Sequence, residues 1–459
     1  MRRALGSIVI TAGLFIPACN AQAFLDDLNF RSSQLEGIHL VGVSVYSGYS
    51  STAYPQTGFA LNNTQGAQGL GPDESYGASV SLGWERNHGK SALAVMYTGT
   101  YGGMVHYSGV NAFSQSASVI ASRMLTPKLT FSVSASGQDA TLAQFLYQPS
   151  MLSTISAVPA TFDDLAAAVA GGQFTNAQVA SMLTGAPIMP TPARSLLMGN
   201  RVLSYTAQAS LAYALSSRLQ IHVGSFAAAG QTSLGGQNGL TPGDVAPASY
   251  VMPRSIGADG GIGLSYSLSP RTEVGANVDE NRTVNRFQAA YISTANAFFG
   301  RKMGSHWFLR AQGGATDSQM TQQTYGAPRT RQMVGGGSLG FQTLSNTLVA
   351  TYDRSASDTF GIAVGTITTL NGAWHWRRVG SRWSVFTSVA QEQMRNTGFT
   401  SLSGWQTSAG ITTNLNSHST LTAQYVYLNS AGTYLGAPSN LVVQSVRLSM
   451  GWAPQGVQR

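Results

Sequence analysis

The sequence predicts an all-β fold: a transmembrane, antiparallel, up-and-down β-barrel of about eighteen strands, with short turns at one end and long loops at the other. Three observations carry this. Charged residues make up only 10% of the chain, against roughly 25% in ordinary soluble domains. Beyond the first residues no apolar run approaches the roughly 20 residues that a membrane-spanning helix requires. The rest of the chain alternates apolar with small or polar residues, interrupted by tight polar turns. In lipid only helices and closed barrels satisfy every backbone polar group, so a charge-poor exported chain without spanning helices points to a barrel.

The elements follow in chain order. Arg2 and Arg3 precede an apolar stretch from Leu5 to Ile16 and small residues ending in Ala21-Gln22-Ala23. This describes a secretory signal peptide over residues 1–23, removed after Sec-type export. A competing reading makes Cys19 a lipid-bearing first residue, since Ile16-Pro17-Ala18-Cys19 loosely resembles a lipobox. Cys19 is the only cysteine, so cleavage after Ala23 leaves no thiol for a disulfide or a cysteine metal site. Residues 24–37 read as a periplasmic N-terminal segment, 38–452 as the barrel, and 453–459 as a C-terminal tail.

Within the barrel, Leu129, Phe131, Val133 and Ala135 interleave with Thr130, Ser132, Ser134 and Ser136; Ile262, Leu264, Tyr266 and Leu268 alternate with Gly263, Ser265 and Ser267. A soluble sandwich would set Lys and Glu on its outward face. Here Ser, Thr, Gly and Gln take the second face, which suits a wet interior. Every second connection is tight, as in Asn87-His88-Gly89-Lys90, Ser216-Ser217-Arg218, Ser269-Pro270-Arg271 and Asn416-Ser417-His418, where Gly, Pro, Asn and Ser supply turn conformations. Eight such turns, with single strands at Ile38 to Tyr49 and Leu441 to Trp452, give about eighteen strands. Sixteen remains possible if Asn281 to Phe299 or Arg331 to Phe341 is divided too finely. Trp84, Trp307, Trp374, Trp376, Trp383 and Trp452 all fall near one set of barrel ends, as an interface girdle requires, and only Trp405 does not.

The longest interruption, about 141–200, is expected to be partly helical, with Thr161 as an N-cap and Asp163 and Asp164 in the first turn. Asp163 and Asp164 are candidates for an inward constriction loop. The alternation assigns Glu85, Gln208, His222, Asp279, Arg310, Asp353, Arg377 and Arg447 to the lumen, and this mixture of signs predicts no strong ion selectivity. The net charge of +8 sits largely in turns, so nucleic-acid binding is not implied. No metal-ligand spacing, cofactor fingerprint or catalytic constellation stands out; His106 alone among the histidines lies toward the long-loop end, and the chain reads as a non-enzyme.

The leader, the dyad strands and phrases such as Leu264-Ser265-Tyr266-Ser267-Leu268-Ser269-Pro270-Arg271-Thr272 resemble Gram-negative outer-membrane β-barrels of the porin type. Val446, Leu448, Met450 and Trp452 resemble the C-terminal assembly signature of such barrels, although Ala453 to Arg459 follow the aromatic residue. The resemblance implies an outer-membrane pore for passive diffusion of small hydrophilic solutes. It also implies lipopolysaccharide, outer-membrane lipid and the barrel-assembly machinery as partners, with a homo-oligomer open. Two alternatives stand: an exopolysaccharide-export barrel, and a plugged structural or adhesive barrel.

Overall fold

In a computed structural model the described residues are 37–51, 72–88, 90–106, 112–141, 201–233, 255–285, 289–321, 329–359, 363–396, 400–434 and 437–454. They form β1 (Gly37–Ser50), β2 (Asp73–His88), β3 (Ser91–Met104), β4 (Ala112–Thr126), β5 (Leu129–Thr141), β6 (Arg201–Ala214), β7 (Leu219–Ser233), β8 (Ser255–Ser269) and β9 (Thr272–Asn285). The chain continues through β10 (Ala289–Met303), β11 (Trp307–Thr321), β12 (Thr330–Gln342), β13 (Asn346–Thr359), β14 (Ala363–Arg377), β15 (Trp383–Asn396), β16 (Thr400–Asn414), β17 (Ser419–Tyr434) and β18 (Ala437–Trp452). Each strand pairs antiparallel with its sequence neighbours, and β18 returns to β1, with Val43 opposite Trp452 and Ser50 opposite Ser445. The architecture is therefore a closed transmembrane barrel in which every strand pairs on both sides over at least part of its length, and the strand count is eighteen. The region 281–299 holds the end of β9 and most of β10, 331–341 lies within the single strand β12, and the last strand starts at Ala437, ahead of the expected Leu441. The expected helical insertion lies outside the described residues.

Alternation decides the two faces. In the β1–β2 pair Ser44 stands opposite Ser79 on the inside and Val45 opposite Ala78 on the outside; Ser44 is 7% exposed and Val45 50%. Inside, hydroxyls pair across strands: Ser44 with Ser79 at 2.7 Å, Ser81 with Thr98 at 2.9 Å, Ser132 with Ser210 at 2.7 Å, Thr294 with Thr316 at 3.0 Å and Ser388 with Ser408 at 2.6 Å. Such cross-strand pairs fix register as well as adding stability, because a one-residue slip would turn every hydroxyl to the other face.

The short turns are closed by their own side chains. Ser216 Oγ accepts from the Arg218 and Leu219 amides at 3.2 and 3.0 Å, Ser269 Oγ from the Arg271 amide at 3.2 Å, and Asn416 Oδ1 from the His418 amide at 2.7 Å. A Ser or Asn oxygen mimics a backbone carbonyl here, which is why these residues recur at every second connection. Gly304 and Gly380 take positive φ values of 67° and 76°, a conformation that glycine adopts without a Cβ penalty.

Candidate functional site

The candidate site is the inner wall. Register places Gln208 between Ser134 and Phe226, His222 between Ala212 and Gly263, and Asp279 between Gly261 and Thr294. Arg310 stands between Gly300 and Ser338, Asp353 between Gly336 and Thr369, Arg447 between Gln424 and Gly48, and Arg377 opposite Ser384. Glu85 occupies the inner-face position opposite Ala94. All eight share the parity of the inner hydroxyls. Asp163 and Asp164 lie outside the described residues.

The inner face is less uniformly polar than the alternation suggested. Phe386 (2% exposed), Phe308, Ile120, Met394 and Val443 also face inward. The missed signal is local: in Trp383-Ser384-Val385-Phe386 large apolar residues occupy both parities, so pattern alone cannot separate the faces. Several large inner side chains lie against glycines. Tyr46 covers Gly77, His222 covers Gly263, Phe298 covers Gly275 and Phe386 covers Gly410, so that a Cβ added at any of these glycines would run into the ring. Arg447 then sits over the Tyr46 ring at 4.5 Å and Arg310 over the Phe298 ring at 4.7 Å, a favourable placement for a guanidinium. Bulk is thereby held flat on the wall.

Charge on this wall differs from level to level. Counted from the short-turn end of each strand, Arg377 is the first residue, Lys302 the second, Arg310 the fourth and Arg447 the sixth. Asp279 and Asp353 are each the eighth, Glu392 the tenth and Asp259 the eleventh. Asp279 accepts from Asn277 Nδ2 at 2.8 Å and Asp353 from Gln312 Nε2 at 3.4 Å. The count of signs is mixed, as read from sequence, and so is the low level, where Glu273 is the second residue of β9 and Glu85 the fourth of β2; from the eighth residue upward these wall charges are acidic.

Above the acidic level one hairpin leaves the wall. Pairing between β12 and β13 ends at Gly335–Arg354, although β12 runs on to Thr330 against β11, and β13 runs on to Thr359 against β14. Ala356 and Thr366, paired with each other, have the outward parity of their strands. Yet Thr366 is only 9% exposed, and Ala356, like Met320, packs against the cluster of Ala290 and Ile292, which are inner-face residues of β10. β14 correspondingly approaches β11. An outward face can meet an inner face in this way only if the outer part of the β13–β14 hairpin lies inside the barrel. The inward element is thus a hairpin that the sequence did not single out; apolar Ala289, Ala290 and Ile292, buried near the long-loop end of β10, were the available signal.

At the long-loop rim, Asp73, its side chain fully buried, accepts from the His106 backbone amide at 3.0 and 3.1 Å, from the Glu74 amide at 2.7 Å, and contacts His106 Nδ1 at 2.8 Å. His106, which stood alone in the sequence, therefore has a partner that anchors the chain leaving β3. Arg329 forms a bidentate contact with Asp317, and this carboxylate raises the guanidinium pKa further. The six tryptophans of the expected girdle have outward parity near the short-turn end; Trp374 Nε1 donates to Asn346 Oδ1 at 3.2 Å and Trp307 packs on Phe341 at 4.6 Å. Among the described residues no three His, Cys, Asp or Glu side chains are grouped to hold a metal ion.

This closed, charge-lined barrel is similar to several solved structures. OccK2 (OpdF) of Pseudomonas aeruginosa, in a crystal structure with glucuronate, shares 8% identity at a TM-score of 0.42, over 90% of this chain and 98% of that one. The BenF-like porin of Pseudomonas fluorescens shares 10% at 0.44, over 91% and 98%, and OccAB4 of Acinetobacter baumannii 9% at 0.42, over 92% and 98%. No family model and no curated protein matches the sequence.

Proposed function

We propose that the protein is an outer-membrane pore through which small hydrophilic solutes diffuse passively. The observation that carries this reading is the closure of eighteen strands around an inner face of hydroxyl, amide and charged side chains. Strands about 4.8 Å apart and tilted about 40° give a backbone radius of roughly 18 Å, too wide for side chains alone to fill. A lumen of that width with polar walls holds water. The inward hairpin narrows it without a helix or separate plug domain among the described residues. Outside, the ring of exposed Val, Leu, Ile and Tyr residues meets hydrocarbon.

In this reading the short turns lie in the periplasm and the long loops outside the cell, as in bacterial barrels. Arg282, Arg331, Arg354 and Arg395 are exposed, have outward parity and lie toward the long-loop end. They are placed to meet the phosphates of lipopolysaccharide, which guanidinium groups bind in bidentate fashion. The functional test is addition of purified protein to a planar bilayer and to sugar-loaded liposomes. Stepwise currents, with swelling that falls off as solute size rises, support the pore. A folded, inserted protein that gives neither is a structural barrel.

A further inference from the structure

The outer ends of β12 and β13 are an interrupted ladder. Residues 330–334 keep β11 on one side and residues 355–359 keep β14 on one side, but the two stretches do not pair with each other. Both are nevertheless extended strand, and both leave from the same last pair, Gly335–Arg354. Continuing that register would set Val334 opposite Ser355, Met333 opposite Ala356, Gln332 opposite Ser357, Arg331 opposite Asp358 and Thr330 opposite Thr359. By residue type Met333 with Ala356 is apolar with apolar, Gln332 with Ser357 and Thr330 with Thr359 are polar with polar, and Arg331 with Asp358 is opposite in charge, while Val334 with Ser355 is the one unlike pair. Met333 is 73% exposed, which is the exposure expected of an outward-facing residue whose cross-strand neighbour has moved away.

From this we propose that the edge of β12 over residues 330–334 is a second seat for residues 355–359 of the same chain, so that the β13–β14 hairpin alternates between an inner, narrowing position and a wall position that widens the pore. The proposal rests on the reading of the barrel as a pore. The two seats exclude one another and satisfy different groups. In the inner seat Ala356 packs against the cluster of Ala290 and Ile292, burying apolar surface that water would otherwise meet. In the wall seat those residues are uncovered, but the backbone groups of both strand edges gain partners. A hairpin held by apolar contacts in one place and by a ladder in another is a two-state element of the kind that switches use. Its hinge falls where the wall is thinnest in side chains, at Gly335, Gly336 and Gly337 on β12 and at Gly365 on β14.

Paired cysteines on a Cys19→Ser background separate the two seats. Met333→Cys with Ala356→Cys captures the wall position, and Ile292→Cys with Ala356→Cys captures the inner one. Under mild oxidation of the folded, inserted protein both disulfides form. The 333–356 bridge raises single-channel conductance at least twofold and reductant reverses the rise, whereas the 292–356 bridge holds the lower level. The proposal is overturned if the 333–356 bridge never forms while the 292–356 bridge does, or if it forms and leaves the conductance of the reduced protein unchanged. Ala356→Glu checks the same point without a cross-link: a charge set against Ala290 and Ile292 drives the hairpin off its inner seat and raises mean conductance, and an unchanged value contradicts the second seat. Cross-links that form as described in a protein that conducts in no state would instead sink the pore itself, and with it the claim that the hairpin controls width.

Discussion

Gly410 illustrates how single residues keep the lumen wide. The Phe386 ring occupies the space where its side chain would be, and the Ala423 carbonyl oxygen would lie 2.8 Å from an added Cβ. Gly410→Ala is expected to destabilise the barrel by about 1–3 kcal/mol through overpacking, read as a lower midpoint of denaturant unfolding from lipid vesicles. Gly313→Ala is its control, since nothing lies within 4 Å of a Cβ there; it should leave the midpoint unchanged or raise it slightly, because alanine costs less backbone entropy than glycine. Equal losses at both sites would argue against the ring-on-glycine account. At the rim, Asp73 and His106 are unequal partners. Asp73→Ala strips three donors of a buried carboxylate acceptor and is expected to cost about 1–3 kcal/mol. His106→Ala removes one contact of an imidazole that is 74% exposed and should cost less than about 1 kcal/mol. Thermal unfolding of the two variants checks the order.

The strand is the scale at which faces are assigned, and β9 tests the assignment in adjacent residues. Asn277 faces inward beside Gly263 and Asn296, while Val278 faces outward beside Ile262 and Ala295. Val278→Arg should cost about 2–4 kcal/mol, as a charge on the lipid face near mid-membrane does. Asn277→Arg, one residue away, should cost well under that, because its side chain reaches water. Folding titrations into vesicles give both numbers, and similar costs would mean that the two faces do not differ in solvent. Strands were the most legible feature of the sequence because lipid on one side and water on the other impose a strict period of two, as in Leu129 to Ser136. Turns were legible for a related reason, since Ser216, Ser269 and Asn416 must each close a turn with their own side chain. Where both parities are apolar, as at Trp383 to Phe386, the period carries no information about which residue faces in.

Features that depend on relations between distant strands were not legible. The signs of the lumen charges could be read one residue at a time, but their levels depend on where each strand starts, so Asp279 and Asp353 at mid-wall and Arg377 and Lys302 near the turns became distinct only in three dimensions. The inward hairpin depends on contact between β13 and β10, which local pattern cannot report. The vertical placement changes the expectation for selectivity. With acidic groups beneath the narrowing hairpin and both signs, Glu85 and Glu273 among them, near the wide short-turn end, the field at the tighter level favours cations. In a potassium chloride gradient the zero-current potential should indicate cation preference, and Asp279→Asn with Asp353→Asn should move it toward zero. Anion preference in the unaltered protein would overturn this reading of the lumen.

Everything above depends on a closed wall with water inside and lipid outside. The most direct test is to place single cysteines at positions 276 to 279 of β9 on a Cys19→Ser background and expose the protein, inserted in liposomes, to a membrane-impermeant thiol reagent. The register predicts labelling at 277 and 279 and protection at 276 and 278. Labelling without regard to parity, or protection at all four positions, would contradict a water-filled barrel.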